Sequence, residues 1–77
     1  MKFKAFILIN VNLGCEAEVL KALRDVQGFD EAVYVFGDYD MIVKVSTNTM
    51  EELNQTVTQI RKLPNIRSTS TIISRDL

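Results

Sequence analysis

A short acidic turn is the segment of this sequence that most directly suggests chemistry. Gly37, Asp38, Tyr39 and Asp40 lie between two apolar stretches, so they connect two predicted strands. Backbone N–H groups in such a turn can hold a ligand carboxylate, and an acidic side chain can hold an ammonium group. Together these groups suit a zwitterion such as a free amino acid. Gly-Asp pairs are also ordinary residues of hairpin turns, which need bind nothing.

Two threonines near the C-terminus are the second candidate for binding. Thr69 and Thr71 are two residues apart in a predicted strand, so both hydroxyls project from one face of the sheet. They can act as a pair of hydrogen-bonding hydroxyls that line a cleft. Threonine is also a good strand former, and the pair alone does not separate the two interpretations.

Catalysis finds little support in the residue types. The chain has no histidine, which excludes Ser-His and Cys-His pairs. Nothing near Cys15 in sequence supplies a base, so a structural role is expected for it. One cysteine also excludes an intrachain disulfide and argues against a structural zinc site. We expect no enzyme activity, no metal and no cofactor.

Length and composition favour a small globular domain that needs a partner. The 77 residues are 47% hydrophobic and 25% charged, typical of one folded domain covering 1–77. Area scaling allows roughly 63% of the surface to be buried on folding, which leaves a monomer marginal and favours oligomerisation. The net charge of -1 attracts neither nucleic acid nor an anionic membrane. The longest apolar run, Ala5 to Ile9, is far short of a membrane helix, so a cytoplasmic protein is expected.

Hydrophobic periodicity predicts six elements in the order β-α-β-β-α-β. Strands are predicted at 2–12, 32–36, 41–45 and 66–74, and helices at about 15–25 and 50–63. Thr49 and Glu52 form a capping box at the start of the second helix. The fold class is therefore α+β, a ferredoxin-like sandwich. Right-handed crossovers place both helices on one face of a four-stranded antiparallel sheet.

The other face of that sheet is expected to be buried in a dimer. The first two predicted strands carry large apolar residues on both faces. Phe6 and Leu8 point to the face opposite Ile7 and Ile9, and Tyr34 and Phe36 to the face opposite Val33 and Val35. In an antiparallel sheet with one solvent-exposed face, apolar and polar residues alternate along each strand instead. The excess apolar surface predicts an isologous dimer through the open face, with Phe6 and Tyr34 as contact candidates.

The order of elements is also that of RNA-recognition motifs, which stack bases on aromatic residues of the central strands. The third predicted strand and its flank, Asp40 to Val45, contain no aromatic residue and no basic cluster. RNA binding is therefore not expected.

Three motifs in this order resemble a known family. Gly37 to Asp40 is followed by the apolar stretch 41–45, then by Leu63-Pro64-Asn65-Ile66 and by Thr69-Ser70-Thr71-Ile72-Ile73. The pattern resembles the RAM (regulation of amino acid metabolism) domain, the effector-binding module of Lrp/AsnC-type, or feast/famine, transcriptional regulators. It extends over nearly all of the chain.

The resemblance implies a ferredoxin-like dimer, with dimers assembling further into octamers or decamers and free amino acids bound between them. Carried over by motif, Gly37, Asp38, Tyr39 and Asp40 would bind the amino and carboxyl groups of the ligand, with Asp40 the first choice for the ammonium group. Thr69 and Thr71 would line the same cleft.

The sequence departs from these regulators because it begins with a strand and shows no helix-turn-helix. It resembles the stand-alone RAM modules, so direct DNA binding is not expected, and a full-length Lrp/AsnC regulator is an expected partner. Two alternatives stay open: a pure assembly module without an effector, and a small enzyme of the dimeric α+β barrel type, such as certain monooxygenases and isomerases.

Overall fold

Four antiparallel strands form one sheet in the order β2-β3-β1-β4. The computed structural model describes residues 2–75. The elements are β1 (Phe3–Val11), α1 (Glu16–Arg24), β2 (Phe29–Tyr34), β3 (Met41–Thr47), α2 (Met50–Arg61) and β4 (Ile66–Arg75). The predicted ferredoxin-like β-α-β-β-α-β fold is confirmed.

The core lies between the sheet and the two helices. In β1 and β3 every second residue is buried, starting at Ala5 and at Met41, because strand side chains alternate between the faces of a sheet. The helices contribute the apolar side chains that lie at helical spacing: Val19, Leu23, Leu53, Val57 and Ile60. Both helices therefore cover the same face of the sheet, as the crossover rule predicts.

The second helix begins where the sequence predicts. The Thr49 hydroxyl oxygen accepts a hydrogen bond from the Glu52 backbone N–H at 3.1 Å and donates one to the Glu52 carboxylate at 3.0 Å. This N-cap satisfies one of the backbone donors that the first turn of a helix leaves unpaired. The capping interaction between Thr49 and Glu52 is confirmed.

The bounds of the second strand differ from the prediction of 32–36. β2 runs from Phe29 to Tyr34, with an irregularity between Phe29 and Glu31. The acidic pair Asp30-Glu31 resembles loop sequence, but Glu31 lies opposite Lys44 of β3 on the uncovered face of the sheet. The two side chains approach to 3.9 Å, so the polar residues belong to the strand.

The strand register also corrects the residues assigned to the uncovered face. Tyr34 lies opposite Met41, whose side chain is buried on the helix side, so Tyr34 does not belong to the open face. Val33 does, opposite Ile42. The apolar side chains on this face come from all four strands: Phe6, Leu8, Val33, Ile42 and Ile72. We call these five residues the open-face patch.

Gly28 is required by the close approach of two segments. Its φ is +82°, and its carbonyl accepts a hydrogen bond of 2.8 Å from the Ser46 N–H. A Cβ added there would lie 2.6 Å from the Ser46 carbonyl oxygen. A side chain at this position therefore meets both left-handed backbone strain and a clash with the backbone of β3.

We expect Gly28→Ala to lower the free energy of unfolding more than Gly14→Ala. Gly14 has nearly the same φ, +81°, but no atom lies within 4 Å of an added Cβ. Left-handed strain of about 1–2 kcal/mol applies to both variants, and only Gly28→Ala adds overpacking of about 1–3 kcal/mol. Urea unfolding of the two variants measures the difference. Equal losses would show that the contact with Ser46 relaxes freely.

Candidate functional site

One end of the sheet gathers most of the residues that the sequence singled out. The connection from β1 to α1 (12–15), the connection from β2 to β3 (35–40) and the connection from α2 to β4 (62–65) all lie there, because β1 ends and β4 begins at that end. We call it the turn end. The Gly37 to Asp40 turn belongs to it, and Thr69 lies opposite Ile9 near the same end.

Asp40 joins the turn to the end of β1. Its carboxylate oxygen Oδ2 accepts a hydrogen bond of 2.9 Å from the Val11 N–H, and its own N–H donates to the Ile9 carbonyl at 2.9 Å. The Asp40 carbonyl accepts from the Val35 N–H at 3.0 Å. Asp40 therefore closes the β2-β3 connection and satisfies a β1 amide through its side chain. Within residues 2–75, only Oδ2 of the two carboxylate oxygens is used in this way.

The rest of the turn is open. Gly37 has φ +123° and no atom within 4 Å of an added Cβ, so space remains next to its backbone. The Asp38 side chain is exposed, whereas Tyr39 is half-buried. Asp38 and Asp40 thus differ in kind, since Asp40 is held in place by the fold and Asp38 reaches into solvent.

The two threonines share one face, as predicted. Thr69 lies opposite Ile9 and Thr71 opposite Ile7, so both side chains are on the helix side of β4. Both residues are half-buried. The Thr71 oxygen Oγ1 is fully buried and has no hydrogen-bond partner in the described range 2–75. Most buried hydroxyls in proteins are paired, so this atom points to an unfilled interaction.

Strand β1 separates the threonines from the acidic turn within one chain. The strand order places β1 between β3 and β4, and two strand spacings amount to about 10 Å. Two surface depressions lie elsewhere, one along α2 and one at the far end of the sheet beside Gly28. The acidic turn and Thr69 thus lie toward one end of the sheet, Thr71 lies near its middle, and β1 stands between the turn and the two threonines.

A polar network at the turn end escaped the sequence analysis. Asn65, with φ +71°, accepts hydrogen bonds from the Asn12 N–H at 2.8 Å and the Asn12 side-chain amide at 3.3 Å. Its own amide donates to Glu18 at 3.4 Å. The available signal was Pro64-Asn65 directly after a helix, where asparagine is one of the few residues that adopts positive φ. The network fixes the β1 end against α1 and the start of β4.

Other kinds of site find no support in the described part of the chain. Residues 2–75 contain no group of three or more histidine, cysteine, aspartate or glutamate side chains that could hold a metal ion. Among the same residues, no helix is both long and apolar enough to cross a membrane.

Comparison with known proteins finds one family. Residues 4–75 match the model of the Lrp/AsnC ligand binding domain. The HTH-type transcriptional regulator FL11 of Pyrococcus abyssi is 42% identical over 69 residues, which are 90% of this chain and 46% of the regulator. The chain thus spans about half the length of the curated relatives it matches first. Homocitrate synthases of Saccharolobus islandicus are 40% identical over 53 residues, covering 69% of this chain and only 12% of the enzyme.

Solved structures agree with this match. The hypothetical protein PHS023 from Pyrococcus horikoshii superposes with a TM-score of 0.89 at 43% identity, covering 97% of this chain and 92% of that one. FFRP-DM1 superposes with a TM-score of 0.88 at 44% identity, covering 95% of this chain and 99% of FFRP-DM1. AsnC of E. coli superposes with a TM-score of 0.84 at 25% identity, covering 97% of this chain and 52% of AsnC.

We expect Asp40→Ala to destabilise the fold and Asp40→Asn to do so much less. Alanine leaves the part-buried Val11 N–H without its partner, which costs about 1–3 kcal/mol, whereas the asparagine carbonyl can still accept that bond. Urea unfolding gives the two values, and Asp38→Ala, at an exposed position, is the matched control with a change within about 0.5 kcal/mol. Equal stability of the two Asp40 variants would contradict a structural role for the carboxylate.

Proposed function

This chain belongs to the Lrp/AsnC ligand-binding domain family, and on that premise we propose that it is a non-catalytic effector-binding and assembly module of transcription regulation. Its ligand is a free amino acid. It acts in the cytoplasm as a homodimer that assembles further, and it modulates a full-length Lrp/AsnC regulator by joining the same assembly.

The amino acid is held by the turn end. The open backbone next to Gly37 provides N–H groups for the ligand carboxylate, and the acidic pair Asp38 and Asp40 attracts its ammonium group. Asp40 is suited to this contact because Oδ2 is anchored by the Val11 N–H, which fixes the direction of Oδ1. A positioned carboxylate loses less conformational entropy on binding than a mobile one.

The observation that carries this proposal is the buried Thr71 hydroxyl, which has no hydrogen-bond partner among residues 2–75. Leaving such a group unpaired is costly, and a rotation of the Thr71 side chain toward a bound ligand or a neighbouring subunit would remove that cost. Thr69 and Thr71 are separated from the turn by β1, which supports a cleft completed by another chain. In such a cleft the turn of one copy would meet the threonines of the next.

The dimer forms through the open-face patch. Val33 and Ile72 are 46% and 58% exposed, and Phe6 is 36% exposed, on a face that no helix covers. Burying this apolar surface against its own copy provides the stabilisation that a chain of 77 residues otherwise lacks. Lys44 and Glu31 lie at the margin of the patch and neutralise each other.

Association with a larger regulator is supported by the lengths of the relatives. In FL11 the matched region makes up 46% of a helix-turn-helix regulator, and in the homocitrate synthases it makes up 12% of an enzyme. The same domain thus occurs with different partners, as expected of a sensing module. A shared open face gives this chain a route into mixed assemblies with a full-length regulator.

A pure assembly module is the second candidate, and a specific observation favours it. The Asp40 side chain already has a structural use in closing β1 against the turn. An acidic residue that is explained by folding alone needs no ligand. The two candidates differ only in whether an effector binds.

For effector binding, we expect one or a few of the twenty amino acids to raise the melting temperature at millimolar concentration. A ligand at a hundredfold excess over its Kd stabilises the native state by about 2.7 kcal/mol, which shifts Tm by roughly 4–8 °C per kcal/mol in a domain this small. Asp40→Asn should abolish the shift, because it retains the bond from Val11 but removes the charge. A panel without any shift would favour the assembly module.

For the dimer, we expect Phe6→Asp and Val33→Asp to produce monomers in light-scattering measurements of mass. A carboxylate placed in the open-face patch would be buried in the dimer, and the cation opposite position 6, Lys44, is already paired with Glu31. Burial of the added charge costs several kcal/mol and weakens dimerisation by at least about 100-fold. The matched control is Tyr34→Asp, the neighbour of Val33 on the other face of β2, which should remain dimeric. A monomeric Tyr34→Asp together with a dimeric Val33→Asp would contradict the assigned interface.

A further inference from the structure

The solvent-facing side of α2 carries a charge pattern that is complementary to its own reverse. Glu51 begins the exposed stripe and Lys62 ends it, and both side chains are exposed. The residues between them on the same side are uncharged: Asn54, Gln55, Thr58 and Gln59. These six residues, here called the α2 stripe, line one shallow surface depression together with Met50, an apolar side chain that is 37% exposed.

The spacing of Glu51 and Lys62 along the helix places both charges on the same side of α2. Glu51 and Lys62 are separated by three helical turns, about 16 Å, and lie almost directly above each other. Neither makes an ion pair within the chain among residues 2–75; the ion pair seen there joins Lys44 and Glu31. The two charges are therefore available to a partner that presents the opposite charges at the same separation.

The other helix shows what an ordinary solvated face looks like in this protein. The exposed positions of α1 carry Glu18, Lys21 and Arg24, so charges follow each other at every turn. Most exposed helix surfaces are of this kind. The four uncharged polar residues of the α2 stripe are different, since they can be desolvated without burying a charge. The exposed Arg61 lies beside the stripe in the last turn of α2.

We propose that the α2 stripe is a second self-association surface, in which α2 pairs antiparallel with α2 of another copy about a two-fold axis. The axis passes between Gln55 and Thr58. Reversal of one helix then places Glu51 opposite Lys62 of the other copy, and the same pair recurs at the far end.

The central residues of the α2 stripe also meet complementary residues when the second copy is placed by this two-fold axis. Asn54 faces Gln59 of the second copy, and Gln55 faces Thr58, so amide and hydroxyl groups meet hydrogen-bonding partners. A second copy satisfies all of these pairs at once, which is why we assign it rather than an unrelated protein. The contact is polar and small, so it is weaker than the open-face dimer and forms at higher concentration.

The two self-association surfaces lie on opposite layers of the molecule. The open-face patch is on the bare side of the sheet, whereas α2 covers the other side. One chain can therefore use both at the same time, and alternating two-fold contacts link copies beyond the dimer. The inference does not depend on effector binding, because it uses no residue of the turn end.

Charge exchange provides the experiment. Glu51→Lys and Lys62→Glu each place like charges opposite one another. Without added amino acids, when assembly through the turn-end cleft is not favoured, each single variant should lose the larger species in sedimentation velocity over a range of concentrations. The double variant Glu51→Lys/Lys62→Glu restores opposite charges across the axis and should regain it. The exchange is unfavourable for the dipole of the helix itself, so recovery in the double variant can come only from contact between copies.

Controls separate this contact from the dimer. Thr58→Glu brings carboxylates together near the axis and should also remove the larger species, whereas Lys21→Glu on α1 should leave it unchanged. Phe6→Asp should abolish the open-face dimer yet retain α2 pairing, which distinguishes failure of that dimer from failure of this proposal. Absence of any species beyond the dimer in the wild type, or a double variant no better than the singles, would overturn it.

Discussion

A four-stranded sheet with helices on only one side is the constraint on which the other properties depend. Ala5, Ile7 and Ile9 of β1 are fully buried because α1 and α2 cover that face, and no further element among residues 2–75 covers the other. The apolar side chains of Phe6, Val33 and Ile72 remain at the surface in consequence. A small chain that exposes such a patch is stabilised most simply by its own copy, so the proposed dimer would be a consequence of the layer architecture.

The elements with strong local signals could be predicted from the sequence, and those set by pairing could not. Alternation in β1 and the Thr49 cap of α2 are encoded by neighbours in the chain, and both were assigned correctly. The start of β2 depends instead on Phe29 pairing with Val45 and on Glu31 facing Lys44. The pairing of Val33 with Ile42 and of Tyr34 with Met41 places Tyr34 on the helix side and Val33 on the open face. A shift of one residue in this register would reverse both assignments.

The candidate site shows the same division. Sequence motifs were sufficient to select the acidic turn and the two threonines, and strand alternation to place Thr69 and Thr71 on one face. They could not show that the Asp40 carboxylate accepts a bond from Val11, because that contact joins residues 29 positions apart. Nor could they show that β1 separates the turn from the threonines, since the order of strands in a sheet is a property of the whole fold.

Asp40 illustrates how a residue proposed to bind a ligand can also have a structural role. Its anchored oxygen Oδ2 ties the β2-β3 connection to the end of β1, so a ligand that engaged the other oxygen would act on a group already fixed by the fold. Binding there would change little within one subunit. Its effect would arise between subunits, where a ligand that contacts two chains favours the assembly containing the complete cleft by the difference in its affinity for the two states. In the proposed function the effector would control association rather than conformation, which would suit a domain whose second layer is supplied by another copy.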